Sequence, residues 1–301
     1  MEAARRRLRL RYGAGIDPWL DAAPSVLASV GERWGLRFDG LVPSGSTSLV
    51  ARCATTDGRA AILKLAPDAG RLRREAAALR TWATRHVPAV YEADVAVGAL
   101  LIERIEPGDV LGDAASPPSM EAVGALVAGL HAVRPEGGAF PPLAALASRL
   151  FDSWERLRRA HPELVELVPD DLFDRSRGLA GRLARDAPST VLLHGDLTPV
   201  NVLDGGPDRG LVAIDPAPCL GDPAYDSIDL LVWQAADLPE IEGRAATLAT
   251  ATGVDATRLL DWGAAFAGMF VLDLAGPGQR HADDWRDRVE PLLALASQVA
   301  A

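Results

Sequence analysis

Lysine and cysteine are nearly absent from this chain of 301 residues. Lys64 is the one lysine among 31 basic residues, and Cys53 and Cys219 are the two cysteines. Two cysteines in a chain this long supply neither a disulfide framework nor a metal site. No run of about 18 apolar residues occurs, which excludes a membrane-spanning helix. A single lysine among so many arginines is a candidate for a role in which a compact ammonium does what a planar guanidinium cannot. A chance survivor of the bias toward arginine is the alternative.

The N-terminus has the arginines of a signal peptide but lacks its apolar segment. Five arginines fall within residues 5–11, and Tyr12-Gly13-Ala14-Gly15-Ile16-Asp17-Pro18 follows where the apolar stretch belongs. A secretory signal needs about 7–15 apolar residues at that point. We therefore expect a cytoplasmic protein.

The net charge of −10 is unevenly distributed. Residues 1–104 carry 16 basic and 11 acidic side chains, whereas residues 105–301 carry 15 basic and 30 acidic ones. The acidic balance argues against a nucleic-acid partner, which requires a basic face. The division suits a protein that binds an anion with its first part and a cation with its second. An ordinary acidic surface is the alternative.

The apolar pattern changes near residues 105–110. Before it, short apolar runs flank the turn Thr55–Gly58 and continue over 90–105, and helical spacing covers 17–35 and 71–85. After it, helical stripes dominate, interrupted by a β-like insertion over 190–214. This pattern predicts an α+β fold with a β-rich N-terminal lobe, residues 1–104 (including the helix 17–35), and a mainly helical C-terminal lobe, residues 105–301.

The densest chemical signal is His194-Gly195-Asp196-Leu197-Thr198-Pro199-Val200-Asn201, followed by Ile214-Asp215-Pro216. Phosphoryl transfer requires a carboxylate that orients and deprotonates the attacking hydroxyl group. It also requires oxygen ligands for the magnesium ions on the phosphates. Asp196, Asn201 and Asp215 supply both, whereas a structural loop with polar caps is the alternative.

These motifs resemble the aminoglycoside phosphotransferase family, whose fold is like that of protein kinases. Four further stretches agree with the family and occur in its order. Three precede these motifs: the loop Pro43–Ser48, the strand Ala61-Ile62-Leu63-Lys64 with Glu75 eleven residues later, and the hinge Leu101–Gly108. The fourth, Gly221-Asp222-Pro223-Ala224-Tyr225-Asp226, comes after them. Within the family, the chain looks most like the streptomycin 6-kinase and hydroxyurea phosphotransferase group. The resemblance implies a bilobal protein-kinase-like fold.

The resemblance also implies the cofactors, ATP or GTP with Mg²⁺, and a set of site residues. Asp196 would be the catalytic base, Asn201 and Asp215 the metal ligands, and His194 a structural support for the loop. The nucleotide would contact Ser44, Gly45, Ser46, Thr47, Ser48, Lys64, Glu75, Glu103 and Ile105. We expect Lys64 to neutralise the phosphates while Glu75 fixes the lysine in place.

The acceptor is less well defined by the sequence. Thr198 stands where relatives have other residues, and carboxylates follow the metal site. The candidate acceptor contacts are Thr198, Asp226, Asp229 and Trp233, with Asp237, Glu240, Glu242, Asp273, Asp283 and Asp284 as further carboxylates. As a group they favour a cationic acceptor, although each alone fits a solvated helix face and Asp226 equally fits a structural role.

The function predicted from these residues is transfer of the γ-phosphoryl group to a hydroxyl of a small cationic molecule, such as a streptomycin-type aminoglycoside. A metabolic kinase for an amino sugar or amino alcohol and a non-catalytic nucleotide-binding regulator are the alternatives. No Ala-Pro-Glu follows Asp215, which argues against a protein substrate, and Gly-x-Ser-x-Gly is absent. We expect no nucleic-acid or membrane partner, and the sequence leaves monomer or homodimer open.

Overall fold

The computed structural model describes residues 2–43, 45, 47–135, 140–276 and 285–299. The chain divides into two compact units, Met1–Gly108 and Asp109–Ala301. In the described part of the chain, no helix combines the length and the apolar character needed to cross a membrane.

Among its described residues, the first unit combines one antiparallel sheet with three α-helices. The helices are α1 (Glu2–Tyr12), α2 (Asp17–Trp34) and α3 (Ala69–Trp82); the strands are β1 (Arg37–Leu41), β2 (Leu49–Ala54), β3 (Ala60–Leu65), β4 (Val90–Asp94) and β5 (Ala99–Glu103). The strand order is β1-β2-β3-β5-β4, and each neighbouring pair is antiparallel. This is the β-rich unit that the sequence predicts.

The β2–β3 hairpin forms where the sequence predicts its turn. The backbone N–H of Thr55 donates to the carbonyl of Arg59 at 3.0 Å, and Gly58 has a φ of 83°, which glycine adopts without strain. On β2, alternate side chains from Leu49 to Cys53 are buried. One face of the hairpin therefore packs into the core, as period-two alternation requires.

Helix α2 begins at Asp17, as predicted, and continues through Pro24 to Trp34. Helix α3 begins at Ala69, two residues before the predicted start, because Asp68 accepts a hydrogen bond from the backbone N–H of Arg71 at 2.9 Å. It ends at Trp82 rather than residue 85, since Ala83 adopts a left-handed φ of 42°.

Helix α1 is absent from the sequence-based expectation. This helix adds little apolar surface to the core, because Ala4 and Leu8 are its two buried residues. Both join the hydrophobic cluster of the sheet, which also contains Leu20, Leu49 and Leu63. Two apolar residues four apart among arginines give a weak periodic signal, which explains the omission.

The second unit is mainly helical, as predicted. Its helices are α4 (Met120–His131), α5 (Leu143–Ala160), α6 (Pro162–Leu167), α7 (Asp170–Arg185), α8 (Ile228–Val232), α9 (Leu238–Thr252), α10 (Ala256–Ala275) and α11 (Trp285–Ala296). Its strands are β6 (Val191–Leu193), β7 (Val202–Asp204), β8 (Leu211–Ala213) and β9 (Cys219–Gly221), paired antiparallel as β6–β9 and β7–β8. Strand β9 was not predicted, because its residues Cys219, Leu220 and Gly221 include no β-branched side chain and its pairing partner β6 is distant in the sequence.

Helix α10 lies at the centre of the second unit. Trp262 and Phe266 on this helix are buried, and Phe266 makes edge contacts with Phe151 and Tyr225 at centroid distances of 5.5 Å. Asp222 accepts hydrogen bonds from Trp262 Nε1 at 2.8 Å and from the guanidinium of Arg258. The segment that leads into α8 is thereby tied to the core of the unit.

Candidate active site

Lys64 and Glu75 form a buried ion pair within the first unit. Lys64 lies on β3, where its register partners are Val50 on β2 and Leu100 on β5, and Glu75 lies on the inner face of α3. The two residues are 4% and 6% exposed, and Lys64 Nζ bonds to Glu75 Oε1. A pair removed from water this far costs desolvation energy. A function that needs an ammonium group in a fixed position would explain this cost.

The β1–β2 loop, residues 42–48, is closed at its base by a backbone hydrogen bond. Val42 N–H donates to the Val50 carbonyl at 2.8 Å. Gly45 has a φ of 106°, a conformation that side-chain-bearing residues rarely adopt. Thr47 is partly exposed and Ser48 is buried, whereas Ser44 and Ser46 lie outside the described residues.

The predicted hinge residues lie at the end of β5. Glu103 donates its backbone N–H to the Ala89 carbonyl at 2.9 Å, and its Oε2 accepts from the Ala89 N–H at 3.1 Å. Ile105 is buried. The side chain of Glu103 thus anchors the segment before β4.

In the second unit, Asp196 and Asn201 are brought together as the five-residue spacing suggests. Asn201 Nδ2 donates to Asp196 Oδ2 at 3.0 Å and to the Asp196 carbonyl at 2.9 Å. Its backbone carbonyl accepts from Ile214 N–H at 2.8 Å, which places the residue before Asp215 beside the same loop. Asp215 itself has a φ of 57°, an uncommon conformation for a residue with a side chain. Strained backbone of this kind is typical of functional sites.

His194 links the two segments of this site. Its Nε2 lies 3.0 Å from the carbonyl of Ile214, and its own carbonyl accepts from Ala217 N–H at 2.9 Å. Burial lowers the pKa of His194, partly offset by the charge of Asp226. A neutral imidazole with Nε2 protonated donates to a carbonyl in this arrangement. This geometry favours the predicted structural role over that of a base.

The side chain of Asp226 binds the backbone of the loop that carries Asp196. Its Oδ1 accepts from Gly195 N–H at 2.9 Å and its Oδ2 from His194 N–H at 2.8 Å. His131 Nε2, from α4, is 2.9 Å from the same Oδ2. Burial opposes ionisation of Asp226, but its polar surroundings, led by the hydrogen bond and charge of His131, lower its pKa. With a fully buried side chain, Asp226 fits the structural alternative rather than acceptor contact.

His131 is the residue whose contribution the sequence did not reveal. Its partner Asp226 is 95 residues away, so no local spacing connects them. The sequence Gly-Leu-His at the end of an apolar helix indicates a histidine that packs in the interior. Its carboxylate partner is identified only by the three-dimensional structure.

Asp229 interacts electrostatically with both Asp196 and Asp273. Burial, followed by the charges of Asp196 and Asp273, raises the pKa of Asp229 well above its usual value. Burial also raises the pKa of Asp273, and a hydrogen bond from Trp154 Nε1 at 3.0 Å opposes that shift. These side chains repel one another electrostatically, so a cation bound beside them would be favoured.

The remaining acceptor candidates differ in environment. Thr198 Oγ1 is buried and has no hydrogen-bond partner among the described residues. Trp233 is half-buried, and its carbonyl accepts from Arg244 Nη1 at 2.7 Å. Asp237 caps α9 and Glu240 pairs with Arg244, so both side chains stabilise this helix. Glu242 is exposed on α9, and Asp283 and Asp284 lie outside the described residues.

The donor atoms around Asp196 fit magnesium rather than a metal held by protein alone. Among the described residues, no cluster of three or more His, Cys, Asp or Glu side chains could bind a metal. Mg²⁺ takes one or two protein ligands and completes its octahedron with water and phosphate oxygens. Because Asn201 Nδ2 is committed to Asp196, the Oδ1 atom is the acceptor of this amide. With the Asp215 carboxylate, it supplies the hard oxygen ligands that Mg²⁺ prefers.

Comparison with known proteins identifies the family. A sequence profile described as "Aminoglycoside/hydroxyurea antibiotic resistance kinase" matches residues 33–272. The chain belongs to this family. It is therefore a phosphotransferase that acts on a hydroxyl group, and the predicted resemblance is confirmed.

Individual members of the kinase family align over most of the chain. A hydroxyurea phosphotransferase of Kitasatospora aureofaciens is 32% identical over 271 residues, which cover 85% of this chain and 74% of the relative. A streptomycin 6-kinase of Streptomyces glaucescens is 30% identical over 75% of this chain and 70% of the relative. A streptomycin 3''-kinase of Klebsiella pneumoniae is 32% identical over 82% and 91%.

The fold of this kinase is also found among solved structures. A choline kinase of Streptococcus pneumoniae superposes with a TM-score of 0.61 at 17% identity, covering 92% of this chain and 99% of the other. At that identity the likeness concerns the fold alone. It confirms the predicted α+β protein-kinase-like fold.

Proposed function

We propose that this kinase transfers the γ-phosphoryl group of ATP or GTP to a hydroxyl group of a small cationic acceptor, with a streptomycin-type aminoglycoside as the first candidate. The observation that carries the proposal is the contact of Asn201 Nδ2 with Asp196 Oδ2 at 3.0 Å. This contact holds the Asp196 carboxylate beside the Asn201 amide, so that a base and a metal ligand are adjacent, as phosphoryl transfer requires.

The proposed roles follow from the environment of each side chain. Lys64, which Glu75 fixes in position, neutralises phosphate oxygens of the nucleotide as a point charge. The β1–β2 loop, including Ser44 to Ser48, and the hinge residues Glu103 and Ile105 contact the nucleotide. We assign these contacts by resemblance to the family.

Asp196 orients the acceptor hydroxyl group and accepts its proton as the oxygen attacks the γ-phosphorus. The bond from the γ-phosphorus to the bridging oxygen breaks, and the nucleoside diphosphate departs with its electron pair. Asn201 and Asp215 would hold Mg²⁺, which when bound offsets negative charge on the phosphates. His194 and Asp226 keep the loop in place and do not touch the reacting atoms.

Asp229 and Trp233 are proposed as acceptor contacts, with Thr198 beside the reacting hydroxyl group. The raised pKa of Asp229 supports a cationic acceptor, because a bound cation would stabilise its ionised form. The streptomycin kinases among the relatives support the same acceptor class. An amino sugar or amino alcohol would satisfy the same carboxylates, and we retain it as the second candidate. We further propose a cytoplasmic location, where nucleoside triphosphates are available.

The test is a phosphorylation assay of the purified protein with streptomycin, ATP or GTP, and Mg²⁺. Asp196→Ala is expected to bind nucleotide with wild-type affinity and to lose about 10²–10⁴-fold in turnover, or about 3–5 kcal/mol of barrier, because it lacks the base. Asp208→Ala serves as the matched control, since Asp208 is an exposed carboxylate in the β7–β8 turn.

Wild-type turnover in Asp196→Ala would refute the assignment of the base. Phosphorylation of amino sugars or amino alcohols but not of streptomycin would favour the second candidate. Nucleotide binding without turnover of any acceptor would favour a regulator.

A further inference from the structure

Helix α1 lies outside the part of the chain that matches the family, residues 33–272. It is nevertheless fixed firmly to the first unit. Leu8 is fully buried in the hydrophobic cluster of the sheet. Arg9 forms a two-bonded pair with Asp17 on α2, at 2.6 and 2.7 Å, and Arg5 also contacts Asp17. A helix anchored in this way can hold other segments in place.

Two side chains of α1 donate hydrogen bonds to the β1–β2 loop. Arg7 Nε donates to the carbonyl of Gly45 at 3.0 Å, and Tyr12 Oη donates to the carbonyl of Thr47 at 3.1 Å. Burial raises the pKa of Tyr12, so its hydroxyl group remains a donor at neutral pH. Both contacts fall on the outer part of the loop, beyond the Val42–Val50 hydrogen bond that closes its base.

Binding a carbonyl of this loop also orients the N–H of the same peptide group. The Thr47–Ser48 peptide bond is trans, so its C=O and N–H point in opposite directions. Because the Tyr12 hydroxyl group donates to the Thr47 carbonyl, this carbonyl points toward α1 and the Ser48 N–H points away from the helix. Backbone N–H groups fixed in one direction form the anion-binding concavities that receive phosphates.

We propose that α1 positions the β1–β2 loop for nucleotide binding, with Arg7 and Tyr12 as positioning residues. The inference rests on the proposed function, in which this loop contacts the phosphates. Without these contacts the loop samples more conformations, and ordering it on binding costs affinity. The chemical step is unaffected once the nucleotide is bound.

The test compares Arg7→Met and Tyr12→Phe with the wild type, using ATP and GTP as probes. A net contribution of about 0.5–1.5 kcal/mol per hydrogen bond corresponds to a rise of about 2–12-fold in the nucleotide dissociation constant and KM. We expect kcat and the acceptor KM to stay within about twofold. Arg6→Met is the matched control, because Arg6 is exposed on the same helix.

Tyr12→Phe keeps the ring that packs against the core, so its melting temperature separates loop positioning from general stability. A rise in nucleotide KM at unchanged melting temperature and kcat supports the inference. Unchanged nucleotide affinity in both folded variants, or an equal loss in Arg6→Met, overturns it while the proposed function stands. A wild-type protein that binds neither ATP nor GTP overturns both.

Discussion

At the scale of single residues, Lys64 is the side chain whose chemistry is least replaceable. It is 4% exposed and pairs with Glu75 within the sheet–helix core. We predict that Lys64→Arg loses at least about 10²-fold in kcat/KM, because a planar guanidinium neither fits this space nor offers the same point charge. Overpacking should also cost about 1–3 kcal/mol of stability. Steady-state kinetics and thermal unfolding measure the two effects.

The control for Lys64→Arg uses the partner residue. Glu75→Gln keeps the size of the side chain but removes the charge that fixes the lysine, so we expect weaker nucleotide binding with the ammonium still present. If Lys64→Arg retains wild-type activity, the assignment of Lys64 to the phosphates is wrong.

Residue spacing in the sequence was informative where partners lie close along the chain. Asp196 and Asn201 are five residues apart, and the structure joins them directly. The role of Asp226 was undecided in the sequence, because its partners His194 and Gly195 lie 32 and 31 residues away. A carboxylate on a helix looks the same in sequence whether it faces solvent or buried backbone N–H groups.

At the scale of elements, the loop that carries Asp196 depends on the absence of a side chain at Gly195. This glycine has a φ of 75°, and a Cβ atom placed on it would lie 2.2 Å from the Ala217 carbonyl oxygen. We predict that Gly195→Ala destabilises the protein by more than about 1 kcal/mol. We also expect a loss of at least about 10-fold in kcat, because the backbone must shift beside Asp196.

Gly243→Ala is the matched control for this prediction. Gly243 lies inside α9, and a Cβ atom there would meet no atom within 4 Å beyond its chain neighbours and the backbone of its own helix. Alanine is a better helix former, so this change should stabilise the protein by about 0.5–1 kcal/mol with unchanged activity. Chemical denaturation of both variants gives the two free energies. Equal effects at the two positions would contradict the close contact at Gly195.

Elements were predictable from sequence where a local apolar pattern or a neighbouring turn marked them. Helix α5, Leu143–Ala160, lies where the sequence predicts helical stripes, since its own apolar stripe spans five turns. Strand β3, Ala60–Leu65, was marked by the turn that precedes it. Helix α1 and strand β9 were missed because their burial depends on partners elsewhere: α1 on the sheet of the first unit, and β9 on pairing with β6.

At the scale of the whole molecule, the charge division bears on the two substrates. Residues 105–301 carry twice as many acidic as basic side chains, whereas residues 1–104 carry a basic excess. An excess of one sign raises the local concentration of ligands of the opposite sign. The acidic excess therefore suits a cationic acceptor, and the basic excess suits a nucleotide.

This charge argument leads to a test that separates the two acceptors named for the relatives. Raising the ionic strength from about 0.1 M to about 1 M shortens the Debye length from about 10 Å to about 3 Å. With nucleotide kept saturating, we expect the KM for streptomycin, a cation, to rise at least about twofold. The KM for the neutral hydroxyurea, where it is phosphorylated at all, should hardly change. A streptomycin KM that is independent of salt would contradict recognition through the carboxylates around Asp229.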